Sequence, residues 1–280
     1  MKMKSSNRNS KNSIIIVCLL LITTLASCTS SEEKSGGSNI SNEIVVFAAA
    51  SLTECFTQVK EAYEEEHTDT EIVLNFAGSQ VLKNQIDSGA SPDMYFSANT
   101  KYPLALVESG IMVAGQALSE DDIDVFAKNH LVIISAWDKV TSLDSFIDNT
   151  INEESTIILA HGDVPVGKYT ISMIEAISES LEDQEFYNSF YNQVVSYEND
   201  VKAVLAKVKL KEADYGIVYG TDAITAKESI YEISIPDDYN QVATYGSLLL
   251  SDSDCDIAFY EYMTEGNGQS ILEEFGFVID

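Results

Sequence analysis

Ile44-Val45-Val46-Phe47-Ala48-Ala49-Ala50-Ser51-Leu52 is the stretch that decides how this chain is read. The apolar run from Ile44 to Ala50 is too short for a buried helix and fits a strand covered on both faces. At Ser51 the period changes. Leu52, Phe56, Val59 and Tyr63 fall at i, i+4, i+7 and i+11, the stripe of an amphipathic helix. The same switch recurs downstream. Residues 71–76 read as a strand, followed from Ser79 by a helix carrying Val81, Leu82 and Ile86. Residues 93–98 read as a third strand before a helix over 101–109. Buried strands are predicted over 131–137 and 156–161, helices over 167–180 and 200–211, strands over 215–219 and 241–250, and two helices within 256–275. Strands alternating with helices predict an α/β fold with mostly parallel sheets.

No linker rich in Pro, Gly or Ser divides this body, and it carries no internal repeat. Two polar interruptions stand out, Asp121-Asp122-Ile123-Asp124 and Pro236-Asp237-Asp238-Tyr239-Asn240. If the chain crosses between lobes at both, residues 43–122 plus 240–280 form lobe I and residues 123–239 form lobe II. Such a crossing places a cleft and two hinge strands between the lobes.

The N-terminus is read separately. Lys2, Lys4, Arg8 and Lys11 precede an apolar run over 14–25, the length of a signal-peptide core and short for a membrane span. Leu25-Ala26-Ser27-Cys28 resembles a bacterial lipobox, which makes 1–28 a lipoprotein signal and Cys28 the lipidated first residue. Acyl chains there would hold the domain on the extracytoplasmic membrane face. Residues 29–42, rich in Ser, Gly and Asn, read as a flexible tether.

The chain of 280 residues carries 16 basic against 45 acidic residues, a formal net of −29, which excludes nucleic acid as a partner. Removing the four basic residues of the signal leaves twelve lysines against 45 acids, a net of −33, and no arginine. Any anion site in the exported domain therefore works without guanidinium. Of the four cysteines, Cys18 lies in the signal and Cys28 at its end. Cys55 and Cys255 remain, as a disulfide or as two free thiols, the second being the simpler reading. Zinc is not expected, because His67, His130 and His161 are scattered and no CxxC is present.

Phe47 to Leu52 ends a strand and opens a helix, and Phe76-Ala77-Gly78-Ser79 does so one unit later. Each junction sets a hydroxyl beside the free N–H groups and partial positive charge of a helix start, which suits an anion. Each serine taken alone reads as a simple N-cap. Two junctions on one sheet edge favour a ligand, because ligands of open α/β sheets gather beyond the carboxyl ends of the strands. A nucleophilic role is not supported: no GxSxG elbow surrounds either serine, and no base is linked to it in sequence. No enzyme activity is expected.

Three further segments complete the pattern: Val164-Pro165-Val166-Gly167-Lys168-Tyr169, Glu198-Asn199-Asp200-Val201, and Gly216-Ile217-Val218-Tyr219-Gly220-Thr221-Asp222-Ala223. With the two serine junctions and Ser91-Pro92-Asp93-Met94-Tyr95-Phe96-Ser97-Ala98, they stand in an order that resembles the molybdate-binding proteins of bacterial ABC importers. The resemblance covers roughly 44–278. It implies a two-lobed periplasmic-binding-protein fold of type II, with molybdate or tungstate buried in the cleft and delivered to an ABC permease. It also implies a likeness in ligand contacts. Ser51 and Ser79 would offer hydroxyl and backbone N–H, Val166 and Val201 a backbone N–H each, and Tyr219 its phenol. No cofactor and no cation site are implied, and a monomer is expected. Where Gly78, Gln80 and Val166 stand, relatives often carry Ser, Ser and Ala, which bears on the pocket rim.

A tetrahedral dianion offers only acceptors, so its site needs donors and no acceptors. Phosphate, partly protonated near neutral pH, would want an acceptor as well. Sulfate matches in charge and shape and would be rejected by cavity size alone. A site for sulfate or phosphate is the alternative reading, and the absence of arginine counts against its Arg-clamped versions. His161, Asp163 and Lys168 read as a solvated cleft rim, and Asp200 and Asp222 as helix caps or turn residues. Phe186, Tyr187, Phe190 and Tyr191, at helical spacing, read as packing rather than as a ligand box.

Overall fold

The computed structural model describes residues 42–138, 142–152, 155–182 and 184–279. The expected signal, Cys28 and residues 29–41 of the tether lie outside them. Asn42, expected in the tether, instead opens the first strand. In chain order the elements begin β1 (Asn42–Ala49), α1 (Thr53–Glu66), β2 (Thr70–Ala77), α2 (Ser79–Asp87), β3 (Met94–Ser97) and α3 (Lys101–Glu108). A short hairpin, β4 (Met112–Val113) and β5 (Gln116–Ala117), leads to β6 (Asp124–Asn129) and β7 (Leu131–Ser135). Then come α4 (Leu143–Ile151), β8 (Ile157–Ala160), α5 (Pro165–Leu181), α6 (Gln184–Asn192), β9 (Val194–Glu198), α7 (Val201–Lys209) and β10 (Tyr215–Tyr219). The chain closes with α8 (Gly220–Ala226), β11 (Tyr231–Ser234), β12 (Ala243–Leu249), α9 (Asp254–Thr264) and α10 (Asn267–Glu274).

Two five-stranded sheets organise these elements, in the orders β2-β1-β3-β12-β6 and β11-β7-β10-β8-β9. In each sheet four strands run one way and one runs against them, β12 in the first and β7 in the second. The sheets build the α/β fold expected from the alternation and the two lobes that the resemblance implied. Both reversed strands adjoin a passage between the lobes, so each sheet changes direction where the chain changes lobe.

The first passage is not where the acidic interruption suggested. β6 pairs antiparallel with β12, Asn129 facing Ala243, so it belongs to the first sheet. The chain leaves that sheet after Asn129 rather than at Asp122. The reason is local. Asp122 Oδ2 accepts from the backbone N–H and hydroxyl of Ser119 at 2.6 and 2.8 Å, which makes the acidic run a capped turn within lobe I. The second passage, between Ser234 and Ala243, contains the expected Pro236–Asn240 segment. There the Asn240 carboxamide bonds both backbone groups of Leu131, each at 2.9 Å, and so stitches the second passage to the first.

Each lobe has its own aromatic centre. Phe56 on α1 meets Phe96 on β3 edge to face at 5.0 Å, and Phe96 meets Phe126 on β6 at 5.1 Å. In the second lobe Phe146 on α4 meets Tyr215 on β10 at 5.0 Å and Phe190 on α6 at 6.3 Å. Phe186 and Phe190 are fully buried, in keeping with packing rather than a ligand box. Cys55 and Cys255 are both free thiols. Among the described residues no helix is long and apolar enough to cross a membrane.

Phe96 joins α1, β3 and β6, and its ring also lies 5.7 Å from that of Tyr260 on α9. Phe96→Ala is expected to lower the unfolding free energy by about 3–5 kcal/mol in urea titration, and a loss below about 1 kcal/mol would contradict this packing.

Candidate functional site

Ser51, Ser79, Val166, Val201 and Tyr219 line one cavity, together with Ala49, Ala50, Gly78, Ala98, Val164, Pro165 and Asp200. The cavity these residues enclose is small. Every one of the five is buried. Thus strand ends that are distant in sequence and split between two lobes converge on one point.

Neither serine serves as a helix cap. Ser51 lies inside a short 3₁₀ turn over Ala50–Leu52, and Ser79 is the first residue of α2 behind Gly78; no side-chain cap is made at either start. Their hydroxyls are engaged elsewhere. Ser79 Oγ accepts from the Ala98 N–H at 3.0 Å, which leaves its proton for the cavity. The Ser79 carbonyl accepts from the Tyr95 hydroxyl at 2.8 Å, which fixes the residue from below. Ser51 Oγ lies 2.9 Å from the Tyr245 hydroxyl on β12.

Val166 and Val201 contribute through their backbones. Val166 sits in the first turn of α5, behind Pro165 at the helix start, and Val201 begins α7. Amides in a first turn have no acceptor within their own helix. Asp200 Oδ1 takes the Ala203 N–H at 2.9 Å, so Asp200 is the cap of α7 and leaves the Val201 N–H open. Both helix starts also aim their positive dipole ends at the cavity.

Tyr219 Oη is buried with no hydrogen-bond partner in the protein. Burial pushes the phenols of Tyr219 and Tyr245 well above their ordinary value, so both remain protonated donors. The lysine beside Val201 is already committed. Lys202, next to Val201, pairs with the fully buried Asp222 at 2.6 Å and with Glu54 of α1 across the cleft. Burial alone would lower the Lys202 ammonium, but Asp222 and Glu54 hold it above its usual value. Its charge is met by two carboxylates and is not offered to a ligand. Asp222 also accepts from the Tyr219 N–H, at 3.4 Å, so it acts at a turn and ion pair rather than in the cavity.

The lobes meet over the cavity. Gln80 Nε2 donates to the Asn199 carbonyl at 2.8 Å, and the Tyr102 hydroxyl donates to the Asp163 carbonyl. Gly78 answers to the same closure. A Cβ there would come within 2.4 Å of Asn199 O, so a larger residue would hold the lobes apart. His161 and Asp163 are exposed rim residues 3.5 Å apart. Motif reading missed Tyr245, Glu54 and Lys202, because each acts through a contact with a residue remote in sequence.

Comparison with known proteins gives the family. The profile of the family described as "Bacterial extracellular solute-binding protein" matches residues 44–278. The molybdate-binding protein ModA of Haemophilus influenzae is 30% identical over 243 residues, covering 85% of this chain and 90% of that protein. The putative ABC transporter substrate-binding lipoprotein YvgL of Bacillus subtilis is 26% identical over 240 residues, covering 85% of this chain and 86% of its own. Among solved structures, the substrate binding domain of a putative molybdenum ABC transporter from Clostridium difficile matches with a TM-score of 0.62 at 27% identity, over 86% of this chain and 100% of that one. The chain thus belongs to the bacterial extracellular solute-binding protein family, which it shares with these relatives.

Proposed function

We propose that this protein captures molybdate or tungstate in the interlobe cavity and delivers it to an ABC permease, with Ser51, Ser79, Val166, Val201 and Tyr219 holding the oxyanion. One observation carries this reading: the buried hydroxyl of Tyr219 has no protein partner and lines the cavity that the other four share. A buried hydroxyl without a partner costs about 1–3 kcal/mol, so the closed protein favours a guest that accepts a hydrogen bond there. Each donor to a charged oxygen contributes roughly 1.5–3 kcal/mol. Several such donors in a dry cavity support a Kd below about 1 µM after ordering costs are subtracted. No reaction is involved. Ligand stabilises the closed form through Ser51 and Ser79 on one lobe and Val166, Val201 and Tyr219 on the other, and the permease recognises that form. We further propose that lipidated Cys28 anchors a monomer to the extracytoplasmic membrane face, as the lipobox-like Leu25-Ala26-Ser27-Cys28 suggests.

Calorimetric titration with molybdate, tungstate, sulfate and phosphate tests the ligand. Heat is expected with the first two and little with the last two; no binding of either metal oxyanion refutes the proposal, and tighter sulfate binding redirects it. Ser51→Ala and Tyr219→Phe are each expected to weaken molybdate binding by about 1–3 kcal/mol, whereas two variants at wild-type affinity would place the site elsewhere. Glu54→Gln removes the half-exposed ion pair across the cleft while leaving Lys202 on Asp222. It is expected to speed ligand release by about 2- to 5-fold in a chase with excess unlabelled anion, the scale of a partly solvated pair. An unchanged release rate would show that this pair does not hold the lobes together.

A further inference from the structure

The oxyanion reading leaves one fully buried carboxylate without a part in the site. Asp222 stands three positions after Tyr219, in the first turn of α8, and is not among the residues that line the cavity. A buried carboxylate is costly unless it is paired and hydrogen-bonded, so its partners show what it is for. Its two oxygens are divided between them. Oδ2 accepts from the backbone N–H of Tyr219, a long contact at 3.4 Å across the turn from β10 into α8. Oδ1 faces the Lys202 ammonium at 2.6 Å, as an ion pair rather than an aligned hydrogen bond.

Those partners lie on two different elements. Tyr219 ends β10, and Lys202 follows Val201 at the start of α7. One carboxylate therefore ties the turn that carries the phenol to the helix start that carries an amide donor. Farther from the cavity, packing holds the same two elements together. A Cβ at Gly216 of β10 would come within 2.8 Å of Val208 Cγ2 and 2.9 Å of Val204 Cγ1 on α7. At the cavity end the ion pair takes over. Glu54 joins Lys202 from the first lobe, but it is partly exposed, whereas Asp222 is wholly buried. Asp222 and Lys202 both belong to the second lobe, so their pairing does not depend on closure.

We infer that Asp222 is a positioning residue of the anion site: through its ion pair with Lys202 it fixes the Tyr219 phenol relative to the Val201 amide, so that both donors meet the same anion. This rests on the oxyanion reading. It also runs against the sign of the charge. A buried carboxylate near a dianion repels it, so if Asp222 acted through its field alone, neutralising it would tighten binding. If it acts by position, neutralising it weakens binding.

The test is calorimetric titration with molybdate of wild type, Asp222→Asn, Tyr219→Phe, Ser51→Ala and the two double variants that contain Asp222→Asn. Asparagine keeps the shape and an oxygen for the Tyr219 N–H, and loses the charge that holds Lys202. Asp222→Asn is expected to weaken molybdate binding about 10-fold. In its background Tyr219→Phe is expected to cost less than about 2-fold, because the phenol is already out of place, whereas Ser51→Ala keeps its wild-type cost within about 2-fold. A general loss of stability would not produce that contrast between the lobes. Unchanged or tighter binding by Asp222→Asn, an undiminished cost of Tyr219→Phe, or an equal loss of cost at Ser51 would each overturn the inference. If Asp222→Asn fails to fold, the double variant Lys202→Met/Asp222→Asn takes its place. It leaves neither charge of the buried pair behind, and the same weakening and the same contrast are expected of it. If wild type binds no oxyanion, the functional proposal fails and takes this inference with it. If wild type binds and Asp222→Asn matches it, only the role of Asp222 falls.

Discussion

A dianion held in a water-excluded cavity must be surrounded by donors, and in the proposed site none of them carries a charge. That constraint orders the rest of the structure. Ser51 and Ser79 belong to the first lobe and Val166, Val201 and Tyr219 to the second, so the set is complete only when the lobes meet. The unpartnered Tyr219 hydroxyl makes the closed, empty cavity unfavourable. The proposed ligand reverses that sign. Closure and binding are then one event, which is what a carrier needs if a permease is to distinguish loaded from empty.

The acidity of the chain bears on this. The net of −29 repels an anion at long range. Salt screens that repulsion beyond roughly 8 Å at physiological ionic strength. Inside the cavity only short-range geometry acts. Lys202, beside Val201, bridges buried Asp222 to Glu54 on the opposite lobe. In the proposed site selectivity is therefore left to short-range geometry.

Much of this was legible in the sequence, for stated reasons. The switch of period at Ser51 reported a strand meeting a helix, and β1 and α1 form there. The five motif residues meet in one cavity because each sits where a strand ends or a helix starts, and such junctions leave local marks such as Gly78-Ser79 and Pro165-Val166. What depended on remote contacts left none. Asp121 and Asp122 looked like a passage between lobes but lie in a short turn behind Ser119, which bonds Asp122, and β6 stays in the first sheet. Tyr245 lies 194 positions from Ser51, and Lys202 lies 148 from Glu54. Neither belongs to a motif, since each works by where folding brings it.

The most direct measurement is a crystal structure of the protein grown with tungstate and located by the anomalous scattering of tungsten. The expected result is one strong peak in the cavity, with oxygens within hydrogen-bond distance of the Ser51 and Ser79 hydroxyls, the Val166 and Val201 amides and the Tyr219 phenol. A tungsten peak bound outside this cavity, or in it but out of reach of Tyr219, would contradict the assignment.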